Sequence, residues 1–293
     1  MVDRLISLII PTINRKKELK NLLESIYLNS YKEIEVIVVD QNKAGFLDDT
    51  IKEYKEKLNL LHLNVDFKGA SRARNYGVKF AKGDIINFPD DDSELSVDLL
   101  ENVIKFFDCN EKIDVIYGRT IDKESNSSSV IKFKEKKSNV NIKNIYKTTV
   151  ECTMFIKKRI FKDIGGFDET LGVGTYYGAE EGADFILRAL YKKIEPVYDP
   201  NLIFYHPQKV FNYDERAQKR AYSYGLGFGR LTIKHIYKYK KLYPIIRIAK
   251  INIKHSVAIV LSLLKLNKNK AMYYYKGIVG RHKGALQTLK EYC

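Results

Sequence analysis

Cysteine is scarce in this chain: there are three in 293 residues, and Cys109, Cys152 and Cys293 lie far apart with no CxxC pair. That spacing argues against a disulfide framework and a zinc site, and it fits a reducing compartment. Each thiol is expected as a small apolar side chain, or for Cys293 a frayed end, rather than a nucleophile. Long apolar runs are also missing. No stretch reaches the roughly 18 residues of a membrane span. The apolar residues 5–10 are broken by Ser7 and ended by Pro11, too short for the core of a signal peptide. The expectation is a protein that stays in the cytoplasm. Acids are the third shortage. Residues 209–293 hold 19 Lys and Arg against three acids, Asp214, Glu215 and Glu291, whereas residues 1–208 hold 32 against 33. The net charge of +15 therefore belongs to the tail, and the body is nearly neutral.

What is present reads as a globular α/β chain: 45% hydrophobic and 30% charged, long enough for one large domain with an appendage. "LISLII" (5–10) and "IEVIVVD" (34–40) are continuous apolar runs, the mark of strands covered on both faces. Between them Leu19, Leu22, Leu23 and Ile26 recur at helical spacing. "LLHLNV" (60–65) and "DIINF" (84–88) read as two further strands, separated by a helix in "SRARNYGVKFAKG" that Gly83 closes. Strand–helix alternation of this kind implies right-handed crossovers and a mostly parallel sheet flanked by helices. Beyond residue 100 the pattern predicts a helix over 97–107 with Ser96 as its N-cap. Strands follow at 114–118 and 150–156, and an irregular segment at 123–148. A helix over 184–193 and two short strands in "IEPVYD" and "LIFYH" complete this part. From about 215 onward the chain reads as helical and basic.

The stretch "IINFPDDDSE" (85–94) runs from a strand straight into Asp90, Asp91 and Asp92. At ~5 Å and an effective dielectric of ~20, each like-charge pair costs roughly 3 kcal/mol, so water, a helix N-terminus or a cation must offset it. In an open α/β sheet ligands collect beyond the carboxyl ends of the strands. Pro11-Thr12, Asp40 and the triplet all stand at such ends. Alternation in an extended segment puts Asp90 and Asp92 on one side and Asp91 on the other. An Asp-X-Asp pair suits a hard divalent cation, which also accepts phosphate oxygens.

"SLIIPTINRKKELKNLLESI", "VIVVDQ", "GASRARNYGVKFAKGDIINFPDDDSEL", "IGGFDE" and "GAEEGADFILRAL", in that order, resemble the family 2 glycosyltransferases with the GT-A fold, over roughly residues 5–208. The resemblance implies transfer of a sugar, with inversion, from a nucleoside-diphosphate donor to an acceptor hydroxyl, with Mn2+ or Mg2+ as cofactor. It implies a GT-A domain at 1–208, with a donor half at about 1–95 and an acceptor half at about 96–208, followed by a basic helical extension at 209–293. By the same resemblance Pro11 and Thr12 shape the nucleotide pocket and Asp40 bonds the base or ribose. Arg74 recognises base or phosphate, and Asp91 completes the donor side. Asp90 faces the ribose or a metal-bound water and counts with Asp92 in the metal set, Asp92 binds the metal, and His206 lies near the metal and diphosphate. An inverting displacement needs a general base. "GAEEGADFILR" matches the family's acidic motif but departs from it at Gly182-Ala183; Glu181 is favoured as base, with Glu180 and Asp184 as rivals. The Gly- and Tyr-rich segment 172–182 is expected as an acceptor-side loop that orders over the donor.

On a helical wheel residues 245–265 give a wide apolar arc, with Arg247, Lys250, Lys254, His255, Ser262 and Lys265 gathered within about 140°. That is too much apolar surface for a helix lying on phosphates, so no nucleic acid is expected. An anionic membrane surface is the favoured partner, with the enzyme peripheral at the cytoplasmic face, a glycan or lipid-linked acceptor, and a role in surface or capsular polysaccharide assembly. Two other readings remain at this point. A sugar-phosphate nucleotidyltransferase needs a Gly-rich phosphate loop after strand one, and "PTINRKKE" has no glycine. A non-catalytic membrane-bound scaffold is opposed by the full set of carboxylates.

Overall fold

The computed structural model describes residues 4–208 and 212–293. The chain divides into two compact units, Met1–Phe167 with Phe185–Lys209, and Asp168–Asp184 with Val210–Cys293. The segment 168–184 thus groups with the C-terminal helices rather than with the rest of residues 1–208.

The first unit is built on the apolar runs. Strands β1 (Ile6–Thr12) and β2 (Ile34–Asp40) are buried at every position, as continuous Ile/Leu/Val runs require when both faces of a sheet are covered. They pair in parallel, as do β1 with β4 (Ile85–Asn87) and β2 with β3 (Leu60–Asn64). The remaining strands are β5 (Glu94–Leu95), β6 (Val115–Ile121), β7 (Ser138–Asn139), β8 (Met154–Lys157) and β9 (Val197–Tyr205), in the sheet order β3-β2-β1-β4-β8-β6-β9-β5 with β7 beside β9. β8 runs antiparallel to both β4 and β6, while β6 and β9 are parallel. The sheet is α/β and mixed, and parallel throughout its N-terminal half.

Helix α1 (Lys16–Tyr27) buries Leu19, Leu22, Leu23 and Ile26, each contributing about 2 kcal/mol of hydrophobic transfer. Helices α2 (Asp48–Lys55), α3 (Ala70–Val78), α4 (Leu99–Cys109), α5 (Lys158–Ile164) and α6 (Glu181–Tyr191) complete the layers; the boundary between units cuts α6 after its first turn. The central core joins α1 and α4 to β1, β2 and β9 through residues such as Leu8, Val36, Val103 and Phe204.

Several local expectations shift. Helix α4 starts at Leu99 with Asp98, not Ser96, at its N-cap, and no side chain caps it. "VECTMFI" opens as a 3-10 turn over Glu151–Thr153 before β8. The two expected strands near 195–206 are one continuous strand, β9. Within 123–148 only β7 and a 3-10 turn at Ile145–Lys147 are regular.

The second unit comprises α7 (Glu215–Tyr239), α8 (Tyr243–Leu264) and α9 (Lys268–Tyr292) with the segment 168–184. α7 starts at Asp214, whose Oδ1 accepts from the Ala217 N–H at 2.8 Å. α7 and α9 meet backbone to backbone: a Cβ at Gly229 would lie 2.2 Å from the Arg281 carbonyl oxygen, and one at Gly284 2.1 Å from that of Leu226. Glycine is what admits that approach.

Helix α8 inverts the usual arrangement. Its wheel predicts one apolar arc and one basic arc, but the polar side does not simply face water. Ser262 is buried, Arg247 and His255 are half-buried, and only Lys250, Lys254 and Lys265 of that group are exposed. Arg281 of α9 donates from Nε to Asn252 Oδ1 at 2.6 Å and lies 2.9 Å, through Nη2, from His255 Nδ1. The exposed side of the helix is mostly isoleucine, valine and leucine.

Candidate active site

The register of the sheet assembles the site. Thr12 pairs with Asp40, so the last residues of β1 and β2 stand side by side at one edge. β4 ends three residues before Asp90, and Ser93 closes a turn on it, its N–H and Oγ both donating to the Asp90 carbonyl at 2.9 and 2.7 Å. β5 then pairs antiparallel with β9, Glu94 opposite Tyr205, which sets His206 beside the triplet although the two are more than a hundred residues apart in sequence.

Within the triplet the side chains separate by role. One ligand atom from each of Asp90, Asp92 and His206 lies within 4.8 Å of the others. His206 Nε2 is 3.3 Å from Asp92 Oδ1, and its Nδ1 is 2.8 Å from the Pro207 carbonyl. A Nδ1–H held by that carbonyl leaves Nε2 to face the carboxylates, the tautomer a metal-binding imidazole needs. Asp91 turns the other way: it is buried, accepts from the Thr12 hydroxyl at 2.8 Å and pairs with Arg15 Nη1 at 3.3 Å.

The cost of three adjacent carboxylates is met by protein cations. Arg15 also pairs with Asp92, and Arg74, buried on α3, donates from Nη2 to Asp90 Oδ1 at 2.8 Å. The neighbouring carboxyls diverge in consequence. Burial pushes Asp91 up to about 7, its acidic neighbours adding to a rise that Arg15 and Thr12 only partly offset. Burial acts the same way on Asp92, but His206 and Arg15 more than reverse it and hold that carboxyl well below the usual range. His206 moves in the complementary direction: burial lowers it, and Asp92 outweighs burial and raises it. Two carboxylates, one of them held well below the usual range, and an imidazole form a donor set that fits a divalent cation.

The other expected residues fall as follows. Pro11 is buried within β1. Asp40 is buried with both oxygens engaged: Oδ1 accepts from the Asn42 N–H and Nδ2 at 2.9 and 2.7 Å, and Oδ2 lies 3.0 Å from His62 Nε2. Burial raises its carboxyl, and His62 and Asn42 more than offset this. Arg15 was not anticipated. A lysine- and arginine-rich helix start reads as solvated charge, and nothing local says that this one turns back onto residues 91 and 92.

The acidic motif belongs to the second unit. Glu181 is buried at the start of α6, and Glu180 before it adopts a left-handed backbone, φ +76°, an uncommon conformation for a residue with a Cβ. Asp184 is fully buried; its Oδ1 is 2.5 Å from Lys234 Nζ and 3.0 Å from His235 Nε2. Lys234 also pairs with Asp168 at 2.7 Å. So fixed, Asp184 ties the segment 168–184 to α7. Arg230 to Thr170, Tyr176 to Gln287 and Tyr177 to Glu291 add further ties along that segment.

An α/β sheet of this order with a carboxylate cluster at its strand ends has the GT-A glycosyltransferase fold, and solved structures similar to this one share that fold. S. aureus TarS 1–349 in complex with UDP-GlcNAc aligns over 98% of this chain and 92% of its own, with a TM-score of 0.58 and 19% identity. The mannosyltransferase PcManGT from Pyrobaculum calidifontis in complex with GDP-Man and Mn2+ aligns over 98% and 87%, with a TM-score of 0.60 and 15% identity. Residues 7–165 match the family described as "Glycosyl transferase family 2"; the chain belongs to that family. The minor teichoic acid biosynthesis protein GgaB of Bacillus subtilis is 32% identical over 185 residues, 57% of this chain and 20% of that protein. The GalNAc(5)-diNAcBac-PP-undecaprenol beta-1,3-glucosyltransferase of Campylobacter jejuni is 27% identical over 185 residues, 58% and 59%. The chain thus spans a fifth of the first relative's length and just under three fifths of the second's.

Proposed function

We propose that the protein transfers a sugar from a nucleoside-diphosphate donor to an acceptor hydroxyl with inversion, in assembly of a surface glycan, capsular or teichoic-acid-like. The Asp90, Asp92 and His206 cluster at the strand ends carries the reading. Those three residues would hold Mn2+ or Mg2+; when bound, the cation stabilises negative charge on the donor diphosphate. Thr12 fixes Asp91 and Arg74 fixes Asp90, which preorganises those two carboxylates, while Arg15 pairs with Asp91 and Asp92 and so competes with a cation for Asp92. Pro11, Thr12, Asp40 and Arg74 are assigned to the nucleotide side; Asp40 orients Asn42 and His62 while it does so.

Glu181 is assigned as the base. It takes the acceptor hydroxyl proton as the acceptor oxygen bonds to the anomeric carbon, and the bond to the diphosphate breaks with its electron pair left on the phosphate oxygen. Asp184 is the weaker rival because its Oδ1 is already engaged by Lys234 and His235. Glu180 is the other rival. UDP-GlcNAc, GDP-Man and Mn2+ in the structurally similar proteins, and the undecaprenol-linked sugar in the name of one relative, support a nucleotide-sugar donor, a divalent ion and a lipid-linked acceptor. Among the described residues no helix is long and apolar enough to cross a membrane, so the proposed location is peripheral, at the cytoplasmic face.

Thermal-shift screening against nucleoside diphosphates with and without Mn2+ tests this. One UDP- or GDP-type ligand should stabilise the protein only with metal, and Asp92→Ala should remove that shift. Glu181→Gln should keep the shift and lose transfer. Metal-independent donor binding would refute the cluster's role, and normal transfer by Glu181→Gln would place the base elsewhere.

A further inference from the structure

We infer that the outward face of α8 is an in-plane docking surface for a bilayer with anionic headgroups; this deepens the membrane location proposed above by naming the surface. Ile246, Ile253, Val257, Val260, Leu261 and Leu264 are each more than half exposed. Their spacing puts them on one side of the helix, in a stripe about 27 Å long and about 10 Å wide. Soluble monomers rarely leave contiguous apolar patches beyond a few hundred Å2, and this one reaches that limit on a single helix.

The stripe is not a core face that failed to pack. The opposite side of α8 is committed to α9, where Arg281 donates to Asn252 and contacts His255, and Ser262 is buried with its hydroxyl on the Ala258 carbonyl at 2.6 Å. Turning the helix to bury its leucines would strand those polar groups, so the apolar side faces out in the native fold.

Charge decides the occupant. Lys250, Lys254 and Lys265 are exposed along one rim of the stripe, and Lys241 and Lys268 are exposed at its two ends. The sequence has no acid from residue 216 to residue 290. A second copy of this chain would bring like-charged rims together, whereas an anionic lipid surface complements them, each cation adding attraction there. A wide apolar arc rimmed by lysine, too short of apolar residues to cross, is the pattern of a helix lying at the interface.

Flotation with vesicles of phosphatidylglycerol and phosphatidylethanolamine, against phosphatidylcholine alone, tests the assignment. The full chain should float with the anionic vesicles and partition at least about tenfold less with the neutral ones. Ile253→Asp with Val257→Asp should lower anionic partition by about tenfold or more, since each loses apolar burial and adds a charge. Lys250→Gln with Lys254→Gln should lower it by about tenfold or more. All these positions are exposed, so circular dichroism and the nucleotide-dependent thermal shift should match the wild type. If the wild type floats and the aspartate pair floats equally, the docking surface is elsewhere and the membrane location stands. If the wild type floats with no vesicle, both are wrong, while donor binding still tests the transferase reading alone. A wild-type dimer that the aspartate pair makes monomeric, with no flotation, would assign the face to a second copy and overturn the lipid.

Discussion

Replacing Lys234 by methionine keeps the aliphatic stem and removes one ammonium from between two carboxylates. In the native protein that ammonium is 2.7 Å from Asp168 Oδ2 and 2.5 Å from Asp184 Oδ1, and Asp184 is fully buried. At ~2.7 Å and an effective dielectric of ~20, each attraction is about 6 kcal/mol before desolvation is subtracted. Breaking a buried pair by removing one partner leaves a net loss of about 3–5 kcal/mol, a large share of the about 5–15 kcal/mol that holds a typical domain. The loss should appear in urea unfolding followed by circular dichroism. Adding Asp184→Asn to Lys234→Met removes the stranded charge and should recover about half of it. The acid limb supplies a second check. Burial raises the Asp168 carboxyl, but Lys234 and Thr170 more than offset this and leave it below the usual value. Its contribution is therefore full above the unfolded value, about pH 4, and is lost as pH falls through the lower native value. Lys234→Met should flatten that limb. A loss under about 1 kcal/mol, or a double variant no more stable than the single, would refute the assignment of this cluster as the clamp on residues 168–184.

Three other predictions follow from particular contacts. Burial, with Arg281 and Lys254, pulls the His255 imidazole down to about 4. Between that value and about 6.5 the unfolded chain binds a proton that the native state refuses. Stability should therefore rise with pH across this window by about 1–2 kcal/mol after solvent screening, and His255→Gln should remove the slope. Gly284→Ala would put its Cβ 2.1 Å from the Leu226 carbonyl oxygen; the helices must part, costing about 1–3 kcal/mol in thermal or urea unfolding. Arg15→Gln removes the cation that now satisfies Asp91 and Asp92, so Mn2+ alone, measured by titration calorimetry, should bind about three- to tenfold more tightly. An unchanged affinity would show that Arg15 does not compete for those carboxylates.

The strand-end cluster was largely legible because its signals are local. A buried parallel strand is a continuous apolar run and its end is a polar residue: Asp40 follows its run directly, and Thr12 and Asp90 each sit two residues past theirs. Helix α2 escaped because it is short and follows a turn, and helix α5 because it has only seven residues and starts directly at the end of β8. Arg15 escaped because its partners are 76 residues away in the chain. The glycine contact between α7 and α9 was also invisible: glycine within a helical pattern lowers helix propensity, and only a second backbone at its surface turns it into a packing device.

By itself, then, the sequence determined the parallel N-terminal strands, the alternation that separates Asp90 and Asp92 from Asp91, and the existence of an amphipathic basic helix. All three depend on periodicities of two or 3.6 residues, which a chain carries without reference to its fold. The tertiary structure decided what required distant partners. Pairing of β5 with β9 brought His206 to the triplet, and Lys234 bound the segment 168–184 to the C-terminal helices. It also decided which side of α8 faces water. A wheel distinguishes apolar from polar, but Arg281 on another helix needed Asn252 and His255, and satisfying buried polar groups outweighed covering the leucines.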